Sequence, residues 1–86
     1  MNKMILVSVK DKKVGFFHPP YCVHSKAVAI RGFGDAVMKP GSDLNAHPED
    51  FTLYMVGEFD TDKGVVTPVD PVSICCGLDF AQEAEK

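Results

Sequence analysis

The clearest periodicity in the chain runs from Phe51 to Asp60. Every second residue there is Phe51, Leu53, Met55, Gly57 or Phe59, and the other face carries Thr52, Tyr54, Val56, Glu58 and Asp60. Strict alternation over ten residues, rich in Thr, Tyr, Val and Phe, predicts a half-buried strand. Gly57 interrupts the apolar face, which marks a bulge or a second backbone passing close. His47-Pro48-Glu49-Asp50 before the strand reads as a turn, because Pro48 fixes its own φ and biases His47 away from helix. Asp60-Thr61-Asp62-Lys63-Gly64 after it reads as a hairpin loop, with Gly64 supplying a positive φ.

Other elements follow from the same kind of pattern. Met4–Val9 predicts a strand with apolar residues on both faces, hence a central one. Asp11-Lys12-Lys13 turns the chain into a second strand, Val14–Phe17, which Pro19-Pro20 ends; Tyr21-Cys22-Val23 is a connector. Ser25 is a good N-cap for a helix running to Met38 or Lys39, with Ala27, Ile30, Phe33 and Val37 as its buried stripe. Arg31, Asp35 and Lys39 fall on the opposite side. Gly32 and Gly34 each cost this helix about 1 kcal/mol relative to Ala; Gly34 lies on the buried arc, where a missing side chain allows close approach to a sheet. Pro40-Gly41 stops the helix and residues 41–50 form a loop. Val65–Thr67 returns from the central hairpin, Pro68 and Pro71 bracket a bend, and Val72–Leu78 is a last strand. Ala81–Lys86 is a polar tail with at most one helical turn. The expected fold is α+β: a mainly antiparallel sheet of about five strands with one helix packed on one face, in the order ββαβββ.

The 86 residues make one expected domain, 1–86, with a modest core. No apolar run approaches the ~18 residues of a membrane span. The short run Met4–Val9 lacks a following cleavage site, so it is read as a strand rather than a signal peptide. Three cysteines in no framework spacing point to reduced thiols in a cytoplasmic setting.

The net charge of −3 hides an asymmetry. Residues 1–39 hold seven Lys/Arg and two acids, a balance of +5; residues 40–86 hold two lysines and ten acids, a balance of −8. The front half could offer an anion-facing patch for nucleic acid, but an acidic chain repels phosphate unless its charges segregate in space, which favours the two halves pairing with each other.

Five clusters carry residues capable of chemistry. His18, Cys22 and His24 form H-x3-C-x-H, but the usual two-residue cysteine spacing of zinc sites is absent, and the adjacent Cys75 and Cys76 point to opposite faces of a strand. No cysteine is tied to a histidine base, so nucleophilic catalysis has no constellation. Arg31-Gly32-Phe33-Gly34 sits inside a helix, not at the strand-to-helix turn of a nucleotide loop. Glu49/Asp50 and Glu58/Asp60 read as solvated turn and edge residues. The last cluster is Lys10, Lys12 and Lys13 at a hairpin tip beside Phe16, Phe17 and Tyr21, the composition of a single-strand binder; its structural counterpart is a buried Phe and lysines that blunt a turn.

Three runs together carry a family likeness: Ala29-Ile30-Arg31-x-Phe33-x-Asp35, then His47-Pro48-Glu49-Asp50-Phe51-x-Leu53, then Gly57-Glu58-Phe59-Asp60 with Gly64. In this order and spacing the chain resembles the small non-structural protein of gokushovirus-type microviruses, single-stranded DNA phages, over roughly residues 4–80. It departs from that pattern at Gly32 and Gly34, and its CCGL end is its own. The resemblance implies a protein made in the host cytoplasm, absent from or minor in the capsid. It further implies a DNA-binding role likened to the switch toward single-stranded genome synthesis for packaging. It implies no catalytic residues.

The expected function is therefore a non-enzymatic accessory of phage DNA synthesis or packaging, with Lys10, Lys12, Lys13, Lys26, Arg31 and Lys39 as phosphate contacts. The expected partners are single-stranded DNA and phage replication or capsid proteins, in a homo-oligomer with no membrane and no cofactor. The alternative is a self-associating protein-interaction module that never touches nucleic acid.

Overall fold

The computed structural model describes residues 2–84. Five antiparallel strands form one sheet: β1 (Lys3–Asp11), β2 (Phe16–Phe17), β3 (Tyr21–Val23), β4 (Phe51–Asp60) and β5 (Val65–Cys76). The helices are α1 (Lys26–Met38), α2 (Asp43–Ala46) and α3 (Leu78–Ala84), with a 3-10 turn at Pro48–Asp50. Across the sheet the order is β2-β1-β4-β5. The three-residue β3 pairs with the other end of the same edge of β1. The α+β class and the antiparallel five-strand sheet agree with expectation, as do the bounds of β4 and the Ser25 cap, whose hydroxyl accepts from the Val28 amide at 3.3 Å.

The expected ββαβββ order is corrected to three strands, the helices α1 and α2, two strands and α3. Tyr21–Val23, expected as a connector, is β3. The two expected strands on either side of a Pro68–Pro71 bend are one continuous β5. Proline is tolerated there because β5 is an edge strand, where an outward amide has no ladder partner to lose. Residues 41–50 are not plain loop: Ser42 caps α2 by accepting from the Asn45 amide at 3.0 Å, and Pro48 opens the 3-10 turn. The chain after Gly77 is helical rather than a polar tail, and the last two residues of that expected tail lie outside the described residues.

The core forms between α1 and one face of the sheet. Val7, Val9, Phe51 and Leu53 meet Ala29, Phe33 and Val37, with Ile5, Val23, Leu44, Ile74, Cys75 and Phe80 around them. Phe33 and Leu53 are almost fully buried, each worth about 2–3 kcal/mol of transfer free energy. The covered arc of α1 differs from expectation at its start, where Ala27 is exposed and Ala29 packs into the core with the sheet residues. Gly34 is indeed buried, but it approaches an aromatic ring and not a sheet. A Cβ built there would lie 2.7 Å from the Phe80 ring of α3.

Gly57 behaves as its place in a strand predicts. The register slips on both sides of β4 near it, and a Cβ there would stand 2.9 Å from the Thr67 carbonyl oxygen. The two long hairpins are built alike. Asp11 accepts from the Lys13 amide (3.0 Å) and Asp60 from the Asp62 and Lys63 amides (2.9 and 3.1 Å). Each loop closes on a positive-φ glycine, Gly15 or Gly64. The acids at these positions are therefore turn-formers.

Candidate nucleic-acid interface

Side chains alternate across β1 and β4, so packing Val7, Val9, Phe51 and Leu53 on α1 sends Ser8, Lys10, Thr52 and Tyr54 to the opposite face. The ladders confirm the rows: Lys10 stands opposite Phe17 and Thr52, and Ser8 opposite Tyr54. This second face has no helix over it. The Phe17 ring meets Tyr54 edge-on at 5.3 Å, and the Lys10 ammonium sits 5.4 Å over the Phe17 ring. Phe16, one residue earlier, is 71% exposed, the most exposed of the large apolar side chains. Lys12 and Lys13 occupy the adjoining loop, which is tied down where the Lys12 amide donates to the Asp50 carbonyl at 2.9 Å. The β1–β2 hairpin thus gathers Lys10, Lys12 and Lys13 with two exposed phenylalanines, Phe17 on the face of Lys10 and Phe16, paired with Asp11, on the other.

The other three predicted contacts lie elsewhere. Lys26, Arg31 and Lys39 are exposed on α1 or at its C-cap, on the layer that covers the opposite sheet face. Thirteen helical steps separate Lys26 from Lys39, about 20 Å. The six residues therefore form a hairpin group and a helix row, not one array. Among the described residues the ion pair is Lys3–Glu58, at 3.8 Å and half exposed, so the six carry charges not neutralised by a direct partner.

Below the hairpin the same face holds a groove of about 370 Å³, lined by Ser8, Phe17, His18, Pro19, Pro20, Val56 and Pro71. Its floor is made by the two register slips. Val56 is extra between Leu6–Gly57 and Val7–Met55, and it lies opposite residues 69–71, so β5 carries two extra residues there. Its wall is the segment His18-Pro19-Pro20, pinned where the buried Ser8 hydroxyl donates to the His18 carbonyl at 2.6 Å. Nothing in the alternation pattern marks this groove. The available signal was two proline-containing breaks, at 19–20 and 68–71, which read as strand ends rather than as one wall.

The remaining clusters separate. Among the described residues, His18, Cys22 and His24 do not converge as a ligand set; His47, Glu49 and Asp50 do bring ligating atoms within 4.8 Å of one another, largely exposed. Cys75 packs against the core, and burial first, then Asp79 and Cys76, pushes its thiol up to about 11. That is the opposite of an activated nucleophile. Burial and the neighbouring Cys75 also raise Tyr21. Arg31–Gly34 is regular helix, with Phe33 in the core. No helix among the described residues is long and apolar enough to cross a membrane.

A family model described as Phage ORF5 protein matches residues 4–80. The chain belongs to the phage ORF5 protein family. A curated relative, Protein ORF5 of Chlamydia phage 1, is 49% identical over 71 residues, covering 78% of this chain and 74% of that protein. No solved structure matches. The ORF5 family agrees with the microvirus resemblance carried by the HPEDF-x-L and GEFD runs, both of which lie in the matched span.

Proposed function

We propose that this ORF5 protein is a non-enzymatic accessory of viral DNA synthesis or packaging that works in the host cytoplasm and binds single-stranded DNA. One observation carries the proposal: the β1–β2 hairpin holds Lys10, Lys12 and Lys13 next to the exposed Phe16 and Phe17. Lysines track phosphates and aromatic rings stack on bases, and stacking tolerates any sequence because every base has a π-face. The hairpin lysines are the primary phosphate contacts; Lys26, Arg31 and Lys39, on the other layer, reach only a strand that wraps around the molecule.

Fluorescence anisotropy with a labelled oligonucleotide at low salt tests this. Phe16→Ala removes an exposed ring, leaves the core untouched, and is expected to weaken binding by about 1–3 kcal/mol, roughly 5- to 150-fold. Arg31→Ala is expected to weaken it less than Lys12→Ala. Equal binding by the Phe16→Ala variant and the parent would refute the role of the hairpin.

A second proposal, a self-associating interaction module, is favoured by Val65, Val66 and Val72, each about half exposed on the edge strand β5. In that case the partner is a host or phage protein and no nucleic acid is bound. Sedimentation showing only monomer up to hundreds of micromolar would count against it.

A further inference from the structure

The groove beneath the hairpin is a concave apolar feature of the uncovered sheet face, and binding by the hairpin alone leaves it unused. Its volume of about 370 Å³ lies at the low end of small-ligand sites, roughly 300–1,000 Å³. Two common occupants are disfavoured by geometry. A helix docks by an apolar face that runs over at least two turns, ~11 Å, and the groove is closed at one end by the His18-Pro19-Pro20 segment. A peptide adding to the sheet edge meets Pro68 and Pro71 on β5, and Pro19-Pro20 between β2 and β3, where amides for a new ladder are missing.

Charge and shape favour a flat, apolar group attached to an anion. The walls are the Phe17 ring and the rings of Pro19, Pro20 and Pro71, with the His18 backbone at the margin, its imidazole lying 6.2 Å from the Phe51 ring on the core side. The nearest cation is Lys10, whose ammonium already lies over the Phe17 ring at 5.4 Å. An anion meeting Lys10 would leave its attached group beside that ring, at the mouth of the groove. We infer that the groove is a base subsite, taking one unstacked nucleobase of a single strand whose adjacent phosphate meets Lys10. This rests on the single-strand proposal and adds a fixed seat to its sequence-tolerant stacking. The register slips that displace Val56 and Pro71 then have a use, because they open the sheet face where the base enters.

The test compares a labelled thymidine decamer with an abasic decamer of equal charge, which keeps the phosphates and removes the bases. The native protein is expected to prefer the thymidine decamer about tenfold or more. Val56→Trp, which fills the groove, and Val56→Gln, which adds an amide with little bulk, are expected to lower that preference several-fold, leaving only what stacking on the hairpin rings supplies, while still binding the abasic strand as the parent does. Amide shifts on titrating thymidine 5′-monophosphate are expected at Ser8, His18 and Val56. If the parental preference survives in both variants, the base subsite is refuted while single-strand binding stands. If neither decamer binds the native protein, the single-strand proposal fails and the subsite with it. Shifts at the groove residues that grow with protein concentration in the absence of nucleotide would assign the groove to a second copy of the chain and overturn the inference.

Discussion

Gly32 and Gly34 sit two residues apart in α1, and replacing each by alanine should move stability in different directions. Both substitutions gain about 1 kcal/mol in helix propensity. At Gly32 that gain stands alone, since a Cβ there meets nothing within 4 Å. For a chain of this size it corresponds to roughly 4–8 °C in Tm. At Gly34 a Cβ would lie 2.7 and 2.8 Å from two atoms of the Phe80 ring, and that ring is itself held edge-on against Phe33 at 6.0 Å. Forcing an extra methyl into such a contact costs about 1–3 kcal/mol. Gly34→Ala should therefore fall about 1–3 kcal/mol below Gly32→Ala, and at or below the parent. Urea denaturation followed by circular dichroism reads both, with unchanged m values as the sign that compactness is kept. A double-mutant cycle isolates the cause: in a Phe80→Ala background, Gly34→Ala should recover its helix gain. If Gly34→Ala raises stability as much as Gly32→Ala in the native background, α3 does not pack on α1 as described.

Two further outcomes follow from the C-terminal segment of the chain. Cys75 has its thiol raised to about 11 in the folded protein, against ~8.5 for an unfolded thiol. The folded state then holds the proton more tightly, so stability from this group is full below pH ~8.5 and is lost as pH rises toward 11. Tyr21, also raised, acts in the same direction at its own higher range. Urea midpoints at pH 7, 9 and 10.5 should fall in that order, and Cys75→Ala should flatten the decline; a midpoint that rises over this interval would contradict the burial of the thiol. At Gly77 an added Cβ would run into the carbonyl of Pro48, a backbone group that cannot rotate away, so Gly77→Ala should cost about 3 kcal/mol or more. Loss of the two-state thermal transition, or a drop in Tm of more than 10 °C, would agree; a neutral effect would not.

Elements with a strong local signal were legible in the chain. The alternation from Phe51 to Asp60, the Ser25 cap and the glycine that closes the Asp60 loop each depend on contacts within a few residues, and each appears where it was expected. The misses share a different cause, which is tertiary context. Pro68 and Pro71 read as breaks because a central strand could not hold them, and only the strand order reveals that β5 is an edge. Tyr21–Val23 is too short to carry a period and becomes a strand through its pairing with Ile5–Val7. On α1 the spacing places Phe33 and Val37 correctly and misses only that Ala29, not Ala27, faces the sheet. The candidate interface divides in the same way. Lys10, Lys12, Lys13, Phe16 and Phe17 are neighbours in sequence and were legible together, whereas the groove joins Ser8, the 18–20 segment, Val56 and Pro71 across three strands. Basic residues on α1 counted toward the same positive half of the chain, yet folding places them on the other layer.

The proposal that the hairpin is a single-strand binding surface is tested most directly by the salt dependence of oligonucleotide affinity. Each phosphate contact to a single strand contributes a slope of about −0.7 in log K against log salt. Three hairpin lysines predict about −2, and all six basic residues would give about −4. Replacing Lys12 and Lys13 together by alanine should leave about −0.7 if the hairpin acts alone. No binding at tens of micromolar protein in low salt, or a slope unchanged by the double replacement, would contradict it.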